Sequence, residues 1–354
     1  MPNPQDLLAE LKKVKYPGFS RDIVSFGMVK DIQIGSRSVT VELATSSANA
    51  EAMDAIRLEI ARLVGNATGL PVEIVVETAR PAPLPAGPAR KKPGIPGVGA
   101  IVAVASGKGG VGKSTVAVNL ACALAARGLR TGLLDADVYG PSVAMMLGIG
   151  GAPPVGEDRR IVPAERFGVR AISMGMFLGE RTPVIWRGPM VTKLITEFFR
   201  NVVWGELDYL ILDLPPGTGD AQLTVAQQVP LAGGVIVTTP QDVALLDVRR
   251  GITMFEQVKA PVLGVVENMS YHLCTGCGDR AEIFGHGGGA SMARQFGVPF
   301  LGEIPLLRAI RSAGDEGTPI VVADPTHAQS RAFVEIAGAI DAQVRERAAG
   351  IVSH

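Results

Sequence analysis

The chain has 354 residues, and 47 % of them are hydrophobic, enough to bury more than one core. Lysine plus arginine equals aspartate plus glutamate at 34 each, so no basic surplus points to nucleic acid or to an anionic membrane. Three cysteines are too few for a disulfide framework, and no stretch approaches the roughly 20 apolar residues that a membrane helix needs.

The opening MPNPQDLLAELKKVKYPGF lacks the apolar core of a signal peptide and contains acids that a transit segment avoids, so a cytoplasmic protein is expected. DLLAELKKV reads as a short helix. MVKDIQIGSRSVTVELAT alternates apolar and polar residues around a Gly-Ser turn, the pattern of a hairpin. AEAMDAIRLEIARLVG sets Met53, Ile56, Ile60 and Leu63 at helical spacing and predicts a stop near Gly65. PVEIVVE closes a small α+β unit over residues 1–78. This unit holds no His and no Cys and reads as a docking or scaffold module.

Residues 79–97 are dense in proline, which blocks both helix and sheet, and predict a semi-rigid linker. From 98 to 354 the pattern changes. AIVAVAS, TGLLDAD, YLILDLP, GGVIVTTP, APVLGVVEN and FLGEIP are nearly continuous in Val, Ile and Leu, as strands covered on both faces are. Helical stretches such as STVAVNLACALAARG separate them. The alternation predicts an α/β fold, a doubly wound and mostly parallel sheet whose ligands sit at the carboxyl ends of the strands.

Gly107-Lys108-Gly109-Gly110-Val111-Gly112-Lys113-Ser114 matches the phosphate-binding pattern G-x-x-x-x-G-K-[ST] after a strand and before a helix. Its glycines let successive N–H groups, through Thr115, face one anion at a helix N-terminus. Lys113 is the catalytic cation for the β and γ phosphates, and the Ser114 hydroxyl is a Mg²⁺ ligand. DYLILDLPPGTGD ends a strand with Asp213, expected on the Mg²⁺ side through a water, and Gly217 follows in a tight loop. LLDADVYGPS ends another with Asp135, a metal-side or structural partner, and Asp137, expected to orient the attacking water. GTPases present N-K-x-D after a late strand; VVENMS has Asn268 without the Lys or Asp. An adenine contact by Asn268, and hence ATP, is favoured over a purely structural Asn268.

GKGGVGKS resembles the deviant P-loop of the MinD/ParA/nitrogenase-iron-protein superfamily. The resemblance implies a deviant P-loop NTPase fold and a homodimer, in which Lys108 reaches the partner subunit's ATP and assists phosphoryl transfer as a cation supplied in trans. A solvated Lys108 with no such contact is the competing reading.

Cys274 and Cys277 form C-x-x-C in SYHLCTGCGDRAEIFGHGGG. A dithiol redox centre fits this glycine-rich loop poorly. A zinc site within one chain would need His272 and His286, which are badly spaced for it. In a two-fold dimer two such pairs meet, and four thiolates suit a [4Fe–4S] cluster or a zinc ion. Cys122, in the helix after the P-loop, reads as a small core residue.

With these motifs IPGVGAIVAVASGKGGVGKSTVAVNLA, LLDADVYGPS, VIWRGPMVTKLITEFFRNVVWGELDYLILDLPPGTGD and VVENMS, the chain resembles the Mrp/ApbC group of P-loop ATPases over nearly its whole length. The resemblance implies an iron–sulfur cluster carrier or scaffold whose clients are apo iron–sulfur proteins. The first unit, with YPGFSRDIVSFGMVKDI, resembles the MIP18-like domain; some relatives carry a functional cysteine where this chain has TSSANA. Two rivals share the ATPase fold. A MinD- or ParA-type positioning ATPase would need a basic tail or surface and leaves C-x-x-C unexplained; a nucleotide-gated zinc dimer uses the same four thiolates.

Overall fold

The computed structural model describes residues 3–14, 22–25, 28–35, 38–45, 50–78, 94–177, 188–217, 219–274 and 276–350. The chain separates into two units, Met1–Arg90 and Lys91–His354. Most of the expected linker, and residues 46–49 of TSSANA, lie outside the described residues.

In the first unit, helix α1 (Pro4–Leu11) opens on a reciprocal cap, Asp6 N–H to Asn3 Oδ1 at 2.9 Å and Asn3 N–H to Asp6 Oδ2 at 3.0 Å. Strands β1 (Val29–Ile34) and β2 (Val39–Thr45) form the expected antiparallel hairpin. Helix α2 (Ala50–Thr68) crosses over to β3 (Val72–Thr78), which pairs parallel to β2. The helix runs past Gly65 because the left-handed residue that stops it is Gly69, at φ 68°. Its buried face holds Met53, Ile56, Ile60 and Val64, so Val64 takes the place expected of Leu63.

The second unit begins with β4 (Val98–Ala105), whose end feeds the P-loop and helix α3 (Lys113–Ala126). Ile95, assigned from sequence to the linker, is already buried in its core. Next come β5 (Thr131–Asp135), the short α4 (Val143–Met146), and the antiparallel pair β6 (Ala164–Arg166) and β7 (Val169–Ser173). Helix α5 (Gly188–Asn201) leads to β8 (Leu207–Asp213), α6 (Asp220–Gln227) to β9 (Gly233–Thr238), and α7 (Asp242–Gln257) to β10 (Val262–Leu273). The two-residue β11 (Arg280–Ala281), α8 (Gly288–Gln295), β12 (Phe300–Leu306), α9 (Arg308–Asp315), α10 (Ile320–Ala323) and α11 (Ala328–Ala348) complete it.

Eight strands lie in the order β12-β10-β9-β4-β8-β5-β7-β6, and β11 pairs antiparallel with the last two residues of β10. Every pairing from β12 to β7 is parallel. The doubly wound expectation holds, with a core on each face of the sheet. Sequence reading missed β6 and β7, too short to carry a periodicity. Strand β4 is central, and its two neighbours come from opposite directions of winding, so the P-loop opens at the switch point of the sheet. Strand β10 is twelve residues long, twice a common strand, and extends beyond the sheet's edge toward the cysteines.

Phe255 of α7 is fully buried, and its ring lies where any side chain at Gly234 of β9 would have to go. Phe255→Ala is expected to lower unfolding free energy by about 3–5 kcal/mol in urea denaturation.

Candidate functional site

The P-loop is held from three sides. Ser106 Oγ donates to the Lys108 carbonyl at 3.0 Å, and Gly217 N–H, from the loop after β8, donates to the Ser106 carbonyl at 3.1 Å. From below, Asn268 Nδ2 donates to the Val111 carbonyl at 2.8 Å. Gly110 and Gly112 sit at φ 82° and 81°, in the left-handed region. At Gly112 a Cβ would lie 2.2 Å from Asn268 Nδ2, so the loop's curl and its brace both require glycine there.

At the mouth of α3, Lys113 and Ser114 converge on Asp213, which ends β8. Lys113 Nζ lies 2.6 Å from Asp213 Oδ1, and Ser114 Oγ donates to Asp213 Oδ2 at 2.6 Å. Lys113 is 5 % exposed and Asp213 is fully buried. Burial pushes the Asp213 carboxyl up, opposed by the Lys113 charge and its hydrogen bond. The cleft above is lined by Lys108, Gly109, Gly110, Lys113, Ser114, Thr115 and, across from them, Asp137 and Pro216. Asp137 is nearly buried and accepts the Gly140 N–H at 3.1 Å.

Asp135 and Asn268 line no part of this cleft. Asp135 pairs across the sheet with Asp213 but spends both oxygens on protein donors: Asp137 N–H, Val143 N–H and the Ser173 hydroxyl. Burial, and then repulsion from Asp213, raise it to about 7. Its position is that of a strut between β5, β7 and α4. Asn268 sits beneath the loop, its Nδ2 donating to the Val111 carbonyl. Lys108 Nζ donates to Gln241 Oε1 of the same chain at 3.1 Å, at the N-terminus of α7.

Cys274 and Cys277 sit on the turn between β10 and β11. Cys274 N–H donates to the Asp279 carbonyl, and Gly278 N–H to the Cys274 carbonyl, each at 2.8 Å. N–H groups of Cys277 and then Gly276 point at the Cys274 sulfur, with the Cys277 thiol, and hold its thiol below the usual range. Cys277 is exposed. His272 gives its Nδ1–H to the Leu306 carbonyl at 3.0 Å, and among the described residues it forms no metal-type group with the cysteines. His286 is engaged with Glu303, Nε2 to Oε2 at 2.7 Å, and with Arg280. Glu267, His286 and Glu303 form the one metal-type triad among the described residues. Their atoms serve one another, Ser270, and the Gly287 and Gly289 N–H groups at the start of α8, an arrangement that anchors the loop beyond the cysteines.

Gln241, Glu267 and Ser270 were not expected from sequence. Glu267 had a signal, a charge inside the apolar run VLGVVEN; Gln241 and Ser270 had none.

A parallel sheet with a G-x-x-x-x-G-K-S loop at its switch point and a carboxylate against the loop lysine defines a P-loop nucleoside triphosphatase. A family profile described as NUBPL iron-transfer P-loop NTPase matches residues 97–341, and one described as iron-sulfur cluster assembly protein matches residues 4–76. The iron-sulfur cluster carrier protein of Synechocystis is 43 % identical over 348 residues, 96 % of this chain and 97 % of that one. That of Pseudomonas fragi is 52 % identical over 247 residues, 69 % of this chain and 86 % of the relative. A nucleotide-binding protein from Archaeoglobus fulgidus, solved with ADP, is 40 % identical, covers 67 % of this chain and 92 % of its own, and superposes with a TM-score of 0.59. The chain belongs to the family of iron-transfer P-loop ATPases that act as iron–sulfur cluster carriers. No helix among the described residues is long and apolar enough to cross a membrane.

Burial raises the Cys122 thiol to about 12. Iodoacetamide is therefore expected to label the metal-free native protein at Cys274 and Cys277 near neutral pH, and Cys122 only after denaturation, as read by peptide mass spectrometry.

Proposed function

We propose that this protein is a cytoplasmic homodimer that hydrolyses ATP, holds a [4Fe–4S] cluster between the Cys274 and Cys277 pairs of its two subunits, and delivers it to apo iron–sulfur proteins. The observation that carries this reading is the pair of thiols presented on one turn, which among the described residues belongs to no group of three or more metal-type side chains. Two thiolates per chain leave a four-sulfur site to be completed by symmetry. A cluster so held is released when the subunits shift, which suits a carrier.

The phosphate cradle fits a nucleotide on its own donors. Gly109 and Gly110 are exposed, with open space where side chains would be, and the N–H groups of α3's first turn carry the helix's positive end. ATP is preferred to GTP because N-K-x-D is absent. Lys113 binds phosphate oxygens by exchanging them for Asp213, so its charge is compensated throughout. Ser114 and Asp213 present hydroxyl and carboxylate oxygens suited to Mg²⁺, the ion that neutralises charge on the phosphates. Asp137 faces the cleft and orients the attacking water. Asp135 acts at one remove, holding Asp137 and α4. Asn268 serves nucleotide binding by fixing the loop. Among the described residues Lys108 is held in cis by a neutral amide, a bond from a charged donor worth about 1.5–3 kcal/mol, which contact with the partner's ATP phosphates offsets on dimerisation.

Strand β10 carries both the loop brace and the cysteine turn. Asn268 and Cys274 are joined through Met269, which is left-handed at φ 57°, and the pairing of β10 with β12 is irregular between Asn268 and His272. A residue strained in this way marks where a strand can adopt two arrangements. ATP occupancy is read at Val111 and transmitted along β10 to the thiols.

Anaerobic reconstitution with iron and sulfide tests the assignment. The wild type should hold about four iron atoms per two chains. Cys274→Ser and Cys277→Ser should lose the iron and still bind ATP; retention of the cluster by both variants refutes the ligand set. Lys113→Ala should lose hydrolysis and bind nucleotide weakly, while Lys108→Ala should bind ATP and lose turnover by about 10³-fold. The coupling is tested on metal-free protein: ATP should change the Cys274 alkylation rate several-fold in the wild type and leave it unchanged in Asn268→Ala.

A further inference from the structure

Beyond the cysteine turn, the cluster of Glu267, His286 and Glu303 has contacts that protons alone do not explain. His286 Nε2 lies 2.7 Å from Arg280 Nη2 and 2.7 Å from Glu303 Oε2. An imidazole nitrogen carries in its ring plane either one proton or one lone pair. With a proton it donates to Glu303 and meets the arginine donor head-on. With a lone pair it accepts from Arg280 and faces the carboxylate oxygen. No tautomer satisfies both contacts. Ser270 repeats the shortage. Its Oγ lies 2.6 Å from Glu267 Oε1 and 2.9 Å from Glu303 Oε2, and its single proton serves one carboxylate at a time.

Charge points the same way. Glu282 Oε1 is 3.7 Å from His286 Nδ1, so Glu267, Glu282 and Glu303 bring three carboxylates to the cluster, and Arg280 brings one guanidinium. Glu267 is fully buried, and a buried charge is stable when it is paired, hydrogen-bonded or coordinates a metal.

We propose that His286 Nε2, Glu303 and Glu267 bind a divalent metal ion of the manganese(II) class. One ligand atom from each lies within 4.8 Å of the others. An ion about 2.1 Å from its ligands needs them no more than about 4.2 Å apart, so small side-chain rotations complete the site. The ion takes the Nε2 lone pair and neutralises both carboxylates, which no single proton there achieves. Arg280 stays over the Tyr271 ring, 3.8 Å from its centroid, and turns from the histidine to Glu303 Oε1, 3.9 Å away. Ser270 and the Gly287 and Gly289 N–H groups orient the Glu267 carboxylate from behind. Two carboxylates to one imidazole suit a harder ion than thiolates select, so this site and the cysteine pair take different metals. The His286 and Glu303 side chains are 34 % and 33 % exposed, which gives the ion a path from solvent. Bound there, it cross-links β10, β12 and the loop that leads from the cysteine turn to α8.

The test titrates metal-free, nucleotide-free full-length protein with Mn²⁺ alone and follows the free ion by electron paramagnetic resonance. About one Mn²⁺ per chain should be taken up, and pulsed spectra of the bound ion should show coupling to an imidazole nitrogen. His286→Gln and Glu303→Gln, at partly exposed positions, should each weaken uptake about tenfold or more, and Cys274→Ser should leave it unchanged. Mn²⁺ should raise the melting temperature of the wild type and not that of His286→Gln. Absence of saturable uptake, or a bound ion without nitrogen coupling, overturns the site on the wild type alone. Uptake that both His286→Gln and Glu303→Gln leave intact, or that Cys274→Ser abolishes, puts the ion at the phosphate loop or the thiols and overturns it as well.

Discussion

The buried contact between Lys113 and Asp213 is the interaction around which the ATPase unit is arranged. Two opposite charges 2.6 Å apart, both shut from water, are costly to bring together and costlier to separate, since removing one member of such a pair typically costs about 3–5 kcal/mol. The pair ties the end of β8 to the start of α3, and through Ser114 it fixes the geometry of the first helical turn. Asp135 at the end of β5 pairs across the sheet with Asp213, and Asp137 follows two residues on, so three carboxylates lie around the single lysine.

Around that pair the sheet distributes tasks by strand. Strand β4 delivers the loop, β8 the carboxylate, β5 the strut Asp135 and, just past its end, the Asp137 that faces the cleft, and β9 leads to the Gln241 that restrains Lys108. Strand β10 has two tasks, because it is long enough to brace the loop with Asn268 and still extend to Cys274. Glu267, Ser270 and Glu303 lock its middle by hydrogen bonds to α8 and β12, on either side of the left-handed Met269.

The parts legible in the sequence were those written in contiguous residues. The loop, its lysine, the strand-terminal Asp213 and the cysteine pair each announce themselves within a dozen positions. Contacts created when distant strands become neighbours left no such mark. Asp135 reads as a metal-side or structural partner, and its bond from Ser173 appears only once β7, too short to be recognised, lies beside β5. Asn268 reads as a base contact or a structural amide, and its hydrogen bond to Val111 appears only once β10 lies beneath the loop. Gln241 carries no motif at all, and only the adjacency of β9 to β4 places it against Lys108.

Gly112 and Asn268 illustrate what such packing implies. The glycine has no room for a single carbon because the amide occupies that space, and the amide reaches the loop only because the glycine is bare. A side chain at 112 would displace the amide at 268, so the nucleotide loop and the strand that runs on to the cysteine turn share one point of contact and shift together there.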